Sequence, residues 1–109
     1  MTVKQLAENF GYRVLCMPDE DREVVGGYAG DLLSWVMGRA QSGNVWITIM
    51  SNINVVAVAS LADVSCVILA EGVTLSCEIS ETAKQKGVNI YSSPKDAYEL
   101  AVLLSDVLK

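Results

Sequence analysis

VWITIMSNINVVAVASLADVSCVILA, residues 45–70, decides the fold. It opens with VWITI (45–49), a β-branched and aromatic run that suits a strand buried on both faces. It closes with a second such run, SCVILA (65–70). INVVAVASL (53–61) between them is long enough for a helix, and Ser51 or Asn52 can cap it by accepting a hydrogen bond from a first-turn amide. Strand, helix, strand in that order is a crossover unit, which lays its two strands parallel. The helix is apolar almost all round, which calls for burial on more than one side, in the core or between the sheet and a partner.

Working outward, residues 23–28 (EVVGGY) read as a short strand and residues 31–41 as a helix capped by Asp31. Leu32, Val36 and Ala40 form one row of that helix, with Leu33 and Met37 beside it, and Gly43 follows as a stop. Upstream, Thr2-Val3-Lys4-Gln5 fits a capping box that starts a helix ending near Phe10 at Gly11. Residues 12–16 (YRVLC) read as a strand and the acidic, Pro18-bearing residues 17–23 as a loop. Downstream, residues 76–86 carry Glu78 and Glu81 early and Lys84 and Lys86 late, the charge order that complements a helix dipole. Residues 88–91 (VNIY) make the last strand. Ser93-Pro94-Lys95-Asp96 then starts a terminal helix, with Ser93 at the cap and Ala97, Leu100, Ala101, Leu104 and Leu108 on its core face. The expected fold class is α/β: one domain over residues 1–109, with a mostly parallel central sheet of about five strands flanked by helices.

Composition agrees with one folded domain. The chain has 109 residues, 51% of them hydrophobic, and a net charge of −5. A mean hydropathy of +0.34 is high for so small a domain and suggests a second burial surface, most simply a homodimer interface. Scattered Arg13, Arg22 and Arg39 on an acidic chain argue against nucleic acid. No apolar run approaches the ~18 residues of a membrane span, and nothing marks an export signal, so a cytoplasmic location is expected. There is no histidine, and Cys16, Cys66 and Cys77 share no metal-ligand spacing, so all three read as structural and no metal is expected.

Residues 26–72, from Gly26-Gly27-Tyr28 through Asp31-Leu32-Leu33-Ser34 and Val45-Trp46-Ile47-Thr48 to Asn54-Val55-Val56-Ala57-Val58-Ala59 and beyond, resemble stand-alone DRTGG domains. The likeness extends to TVKQLAE at the start and GVNIYSSPKDAYELAVLL at the end, and Asp21-Arg22 followed by Gly26-Gly27 is the nearest echo of the family's signature. Relatives are similar to the N-terminal region of HPr kinase/phosphorylase and occur within phosphotransacetylases and between CBS domains of pyrophosphatases. The resemblance implies a regulatory or dimerising module, cytosolic, with a partner enzyme in redox or carbohydrate metabolism and no reaction of its own. The sequence departs from the family where Met50-Ser51-Asn52 replaces a more polar run, where Glu71-Gly72 replaces a Gly-Gly pair, and where Trp35 replaces a small or acidic residue.

Kinase chemistry lacks its apparatus here: GGYAGDLLS has no GxxxxGK[ST] spacing to hold phosphates, and Asp31 adds negative charge. Asp19, Glu20, Asp21 and Glu23 form a solvated loop without calcium-loop spacing. No catalytic residue and no cofactor are expected. Ligands of parallel α/β sheets bind outside the strands' carboxyl ends. That rule nominates Gly26, Gly27, Asp31, Thr48, Asn52, Asn54, Gly72 and Ser92 for a small polar or nucleotide-like ligand. Trp35 points away from the core row of its helix and is the candidate interface anchor. The reading is thus a non-catalytic regulatory or interaction module working as a homodimer; the alternative is a nucleotide or phosphometabolite sensor that signals to a partner enzyme.

Overall fold

The computed structural model describes residues 1–108. The order of elements is α1 (Val3–Phe10), β1 (Arg13–Cys16), β2 (Gly27–Ala29), α2 (Leu33–Arg39), β3 (Val45–Thr48), α3 (Ile53–Ala62), β4 (Cys66–Leu69), α4 (Cys77–Gln85), β5 (Ile90–Ser92) and α5 (Ala97–Ser105). The five strands form one sheet in the order β1-β5-β4-β3-β2. Strands β2 to β5 are mutually parallel, and β1 runs antiparallel along β5 with a register irregularity between Val14 and Cys16. The α/β class and the mostly parallel five-stranded sheet are as the sequence predicts.

Alternation along the buried strands divides the core. Val45, Ile47, Cys66, Ile68 and Tyr91 face Val3 and Leu6 of α1 and Leu100 and Leu104 of α5. Trp46, Val67, Leu69 and Ile90 face Val36 of α2, Val55, Val56 and Ala59 of α3, and Ala83 of α4. Both faces of the sheet are covered, which is why β3 and β4 read as unbroken apolar runs. Trp46 is fully buried and donates its indole N–H to the Gly30 carbonyl at 2.8 Å, so its burial, worth about 2–3 kcal/mol, leaves no polar atom unpaired.

Three consecutive crossovers place α2, α3 and α4 on the same face, so β2 to β5 wind in one direction without reversing. The crevice that forms where strand order reverses therefore has no counterpart among these four strands. Reaching β2 from β1 means crossing the whole sheet, because those strands form its two edges. Residues 17–26 make the crossing under the amino ends of β5, β4 and β3 and are tied to each. Asp19 exchanges hydrogen bonds with the Asn89 side chain, and the Glu23 carbonyl accepts from the Ser65 hydroxyl. The Val25 amide donates to the Gly43 carbonyl. From the other side, Val3 and Lys4 of α1 donate to the Arg22 and Glu20 carbonyls.

Several local expectations change. Residues 23–25 belong to this strap, and β2 begins at Gly27, where pairing with Val45 sets the register. Leu32, expected on the core row of α2, is the N-cap and is exposed, as is Met37. The terminal helix starts at Asp96, whose carboxylate accepts from the Glu99 amide, not at Ser93. Helix α3 is capped by Asn52 and within this chain buries one side, with Ile53 and Leu61 exposed, Leu61 at 74%, which rules out the all-core alternative and not a covering partner. Cys16 and Cys66 are buried as expected, whereas Cys77 is exposed on the first turn of α4.

Candidate functional site

At the carboxyl end of β2 and β3, the sheet's parallel run brings Asp31 onto Thr48. The Asp31 carboxylate accepts from the Thr48 hydroxyl at 2.7 Å and from the Ile49 amide at 3.0 Å, and Thr48 Oγ1 accepts in turn from the Met50 amide. Asp31 was expected to cap α2; it instead fastens one strand end to the next, and α2 has no side-chain cap. Asn52 is committed as well, accepting from the Asn54 amide at 2.9 Å to start α3. The Asn54 side chain is exposed nearby.

The carboxyl ends of β4 and β5 form a second group. The Ser92 hydroxyl donates to the Val73 carbonyl at 2.7 Å, and the Gly72 and Glu71 amides donate to the Ser93 and Lys95 carbonyls. Ala70 to Val73 make a turn closed by an amide-to-carbonyl bond of 3.2 Å, with Glu71 at φ 62° and Gly72 at φ 73°. Both central residues lie in the left-handed region, the pattern of a type I′ turn, which explains why a Gly-Gly pair suits this place.

Gly26 and Gly27 stand apart from both groups. Gly27 pairs with Val45, the first residue of β3, so the two glycines lie at the amino end of β2 and not beside Thr48 or Asn52. Gly26 has φ 66° and accepts the Val45 amide, which fits a turn entering the strand. Expecting these glycines at a strand's carboxyl end is corrected by the later start of β2.

Trp35 is 52% exposed, as expected, and the Arg39 guanidinium lies 3.8 Å from its ring centroid. One turn away on the same helix, Leu32 is also exposed, and α3, packed beside α2, adds Ile53 and Leu61.

Two clefts lie along the sheet's edges, and of the nominated residues only Gly27 lines either of them. One, of about 240 Å³, runs between β2 and α5 and is lined by Tyr28, Ile47, Ala101 and Leu104. The other, of about 630 Å³, lies between β1 and α4, where Cys77, Ser80, Glu81 and Lys84 share one helix face opposite Arg13 and Val14. Sequence reasoning passed over this second cleft, because Lys84 was accounted for by the helix dipole; the polar stripe at positions 77, 80, 81 and 84 was the signal available. Burial raises the Cys16 thiol above its ordinary range, with Lys84 lowering and Glu81 raising it further. Complete burial pushes the Cys66 thiol up to about 12. Among the described residues no three His, Cys, Asp or Glu side chains converge, and no helix is long and apolar enough to cross a membrane.

No curated protein sequence matches the chain. Among solved structures it is similar to the CBS and DRTGG domains of the regulatory region of Clostridium perfringens pyrophosphatase, complexed with its activator, diadenosine tetraphosphate. That match has a TM-score of 0.70 at 17% identity and covers 94% of this chain but 45% of the neighbour, so it shows a shared fold. The DRTGG-domain family model matches residues 5–107, nearly the whole chain. With that model covering nearly all of the strands and helices described, the chain belongs to the DRTGG-domain family.

Proposed function

We propose that the domain is a regulatory interaction module that acts as a homodimer and carries out no chemistry of its own. The observation that carries this reading is the apolar outer surface of α2 and α3, where Leu32, Trp35, Ile53 and Leu61 are exposed on adjacent helices. A small domain gains by covering such residues, and a Trp with an Arg stacked on it is the kind of side-chain pair that anchors an interface. The polar groups at the strand ends are meanwhile spent on one another, as the Asp31–Thr48 bond illustrates. Light scattering across a wide concentration range tests the proposal. A dimer that Trp35→Ser loosens supports it, and a monomer at every concentration overturns it.

The second reading is a small-ligand sensor that signals to a partner enzyme in redox or carbohydrate metabolism. It is favoured by the neighbour, whose regulatory region is complexed with a nucleotide activator. Calorimetry with diadenosine tetraphosphate and with ATP separates the readings: saturable heat that Asn54→Ala abolishes would move the function to the strand ends. Cytoplasmic residence belongs to this proposal in both forms.

A further inference from the structure

Strand β1 is an edge strand: β5 pairs with one of its long sides, and no strand pairs with the other among the described residues. Four residues at about 3.3 Å each make it about 13 Å long. Helix α4 lies beside it across the open cleft of about 630 Å³. The helix starts at the carboxyl end of the sheet and returns to the amino end of β5, so it runs along β1 and not across it. A free strand edge alongside a helix is the geometry by which domains take up an extended peptide as an added strand.

Charge selects the peptide. Arg13 stands opposite Ser92 at one end of the cleft, and Lys84 lies near its other end, toward Cys16 and Ile90. Among the described residues, ion pairs join Met1 to Glu23 and Arg22 to Asp63, and neither Arg13 nor Lys84 has an acidic partner. The cleft thus offers an unpaired cation at each end, an apolar lining in Leu15 and, toward the Arg13 end, Leu75, and one carboxylate, Glu81. On a chain of net charge −5 this is a locally positive groove. We infer that it receives an extended segment of a partner protein, acidic toward its ends and apolar between, added as a strand against β1. This rests on the reading of the domain as an interaction module and names a partner surface separate from Trp35.

Selection of a phage-displayed random peptide library against the full chain, followed by fluorescence anisotropy on the enriched peptides, tests it. Acidic peptides should be enriched, and amide shifts in a two-dimensional NMR titration should concentrate on Arg13–Cys16 and Cys77–Gln85. Lys84→Glu and Arg13→Glu should each weaken binding by about tenfold, while Glu81→Gln leaves it unchanged or tightens it. Opposite signs at neighbouring positions of one helix face would not arise from mere misfolding. No enrichment, enrichment of basic peptides, shifts centred elsewhere, or affinity indifferent to Lys84→Glu would each overturn the inference. Trp35→Ser in the same assays tells the two proposals apart, since it should alter the oligomer and spare the peptide.

Discussion

The two ends of the sheet use polar residues differently. At the amino end, side chains reach across long stretches of sequence: Asn89 to Asp19, Arg22 to Asp63, Asn44 to Val25 and Ser65 to Glu23. At the carboxyl end, polar side chains work mostly between neighbouring strand ends or within one turn, as Asp31 with Thr48 and Asn52 with Asn54 show. The difference follows from topology. A chain whose first two strands form opposite edges of one sheet must carry a strap across it, and that strap needs partners at every strand it passes. The segment echoing the family signature, Asp21-Arg22 with Gly26-Gly27, spans the end of the strap and the first residue of β2, where Arg22 is tied to Asp63 and Gly27 pairs with Val45.

The contrast breaks most visibly at Asn89. Its side chain is 1% exposed and makes three bonds of 2.9–3.0 Å, to the Asp19 amide and to the Asp19 and Ser65 carbonyls. Asn89→Ala leaves those groups unpaired and should cost about 3 kcal/mol in urea unfolding. A loss below about 1 kcal/mol would mean that water replaces the amide and that the strap is not held there.

Arg22 gives the next effect. Its guanidinium donates to the Asp63 carbonyl at 2.6 Å and pairs with the Asp63 carboxylate at 2.9 Å, but it is partly exposed. Arg22→Ala should therefore cost about 1–2 kcal/mol. The hydrogen bond from Ser42 holds the Asp63 carboxyl below its usual range, opposed by burial and aided by Arg22. A carboxyl lowered in the folded state contributes stability above its unfolded value of 3.8, and the contribution disappears as pH falls through the folded value. Acid unfolding below about pH 4 should accordingly be less steep in Ser42→Ala, and identical profiles would remove Asp63 from the account.

At the carboxyl end the expected effect is smaller. Asp31→Ala takes the acceptor from the buried Thr48 hydroxyl and from the exposed Ile49 amide, and should cost about 1 kcal/mol. Asp31→Asn keeps an acceptor and should recover about half. If Asp31→Ala costs as much as Asn89→Ala, the two ends are equally structural and the contrast fails.

How far the sequence goes depends on whether the deciding contact is local. Val45–Thr48 and Cys66–Leu69 were legible because burial on both faces leaves an uninterrupted apolar run. The capping box at Thr2 and Gln5 was legible because its bonds span three residues. The start of β2 was not, since Val24 and Val25 look like strand residues while the ladder with Val45 sets the register. Ser93 looked like a cap, but residues 93 and 95 give their carbonyls to Gly72 and Glu71, so the helix waits for Asp96. Of the nominated site residues, Asp31 with Thr48 and Gly72 with Ser92 were placed at the right end of the sheet. Gly26 and Gly27 were not, because a glycine pair signals a turn without saying which end of a strand it serves.

Glu71 offers the finest distinction. It holds φ 62° at the first central position of its turn, in a region that costs an L side chain roughly 1–2 kcal/mol and glycine almost nothing. Glycine also brings a more flexible unfolded chain, which takes back about 0.5–1 kcal/mol. Glu71→Gly should therefore stabilise the domain by about 0.5 kcal/mol, read as a higher urea midpoint at unchanged slope. Glu71→Ala separates the causes: it keeps the backbone strain and discards only the carboxylate, so it should leave stability nearly unchanged. If Glu71→Ala instead destabilises and Glu71→Gly gives nothing back, the carboxylate itself holds the turn. The carboxyl end would then depend on a side chain as the amino end depends on Arg22, and the difference between the two ends would be one of degree.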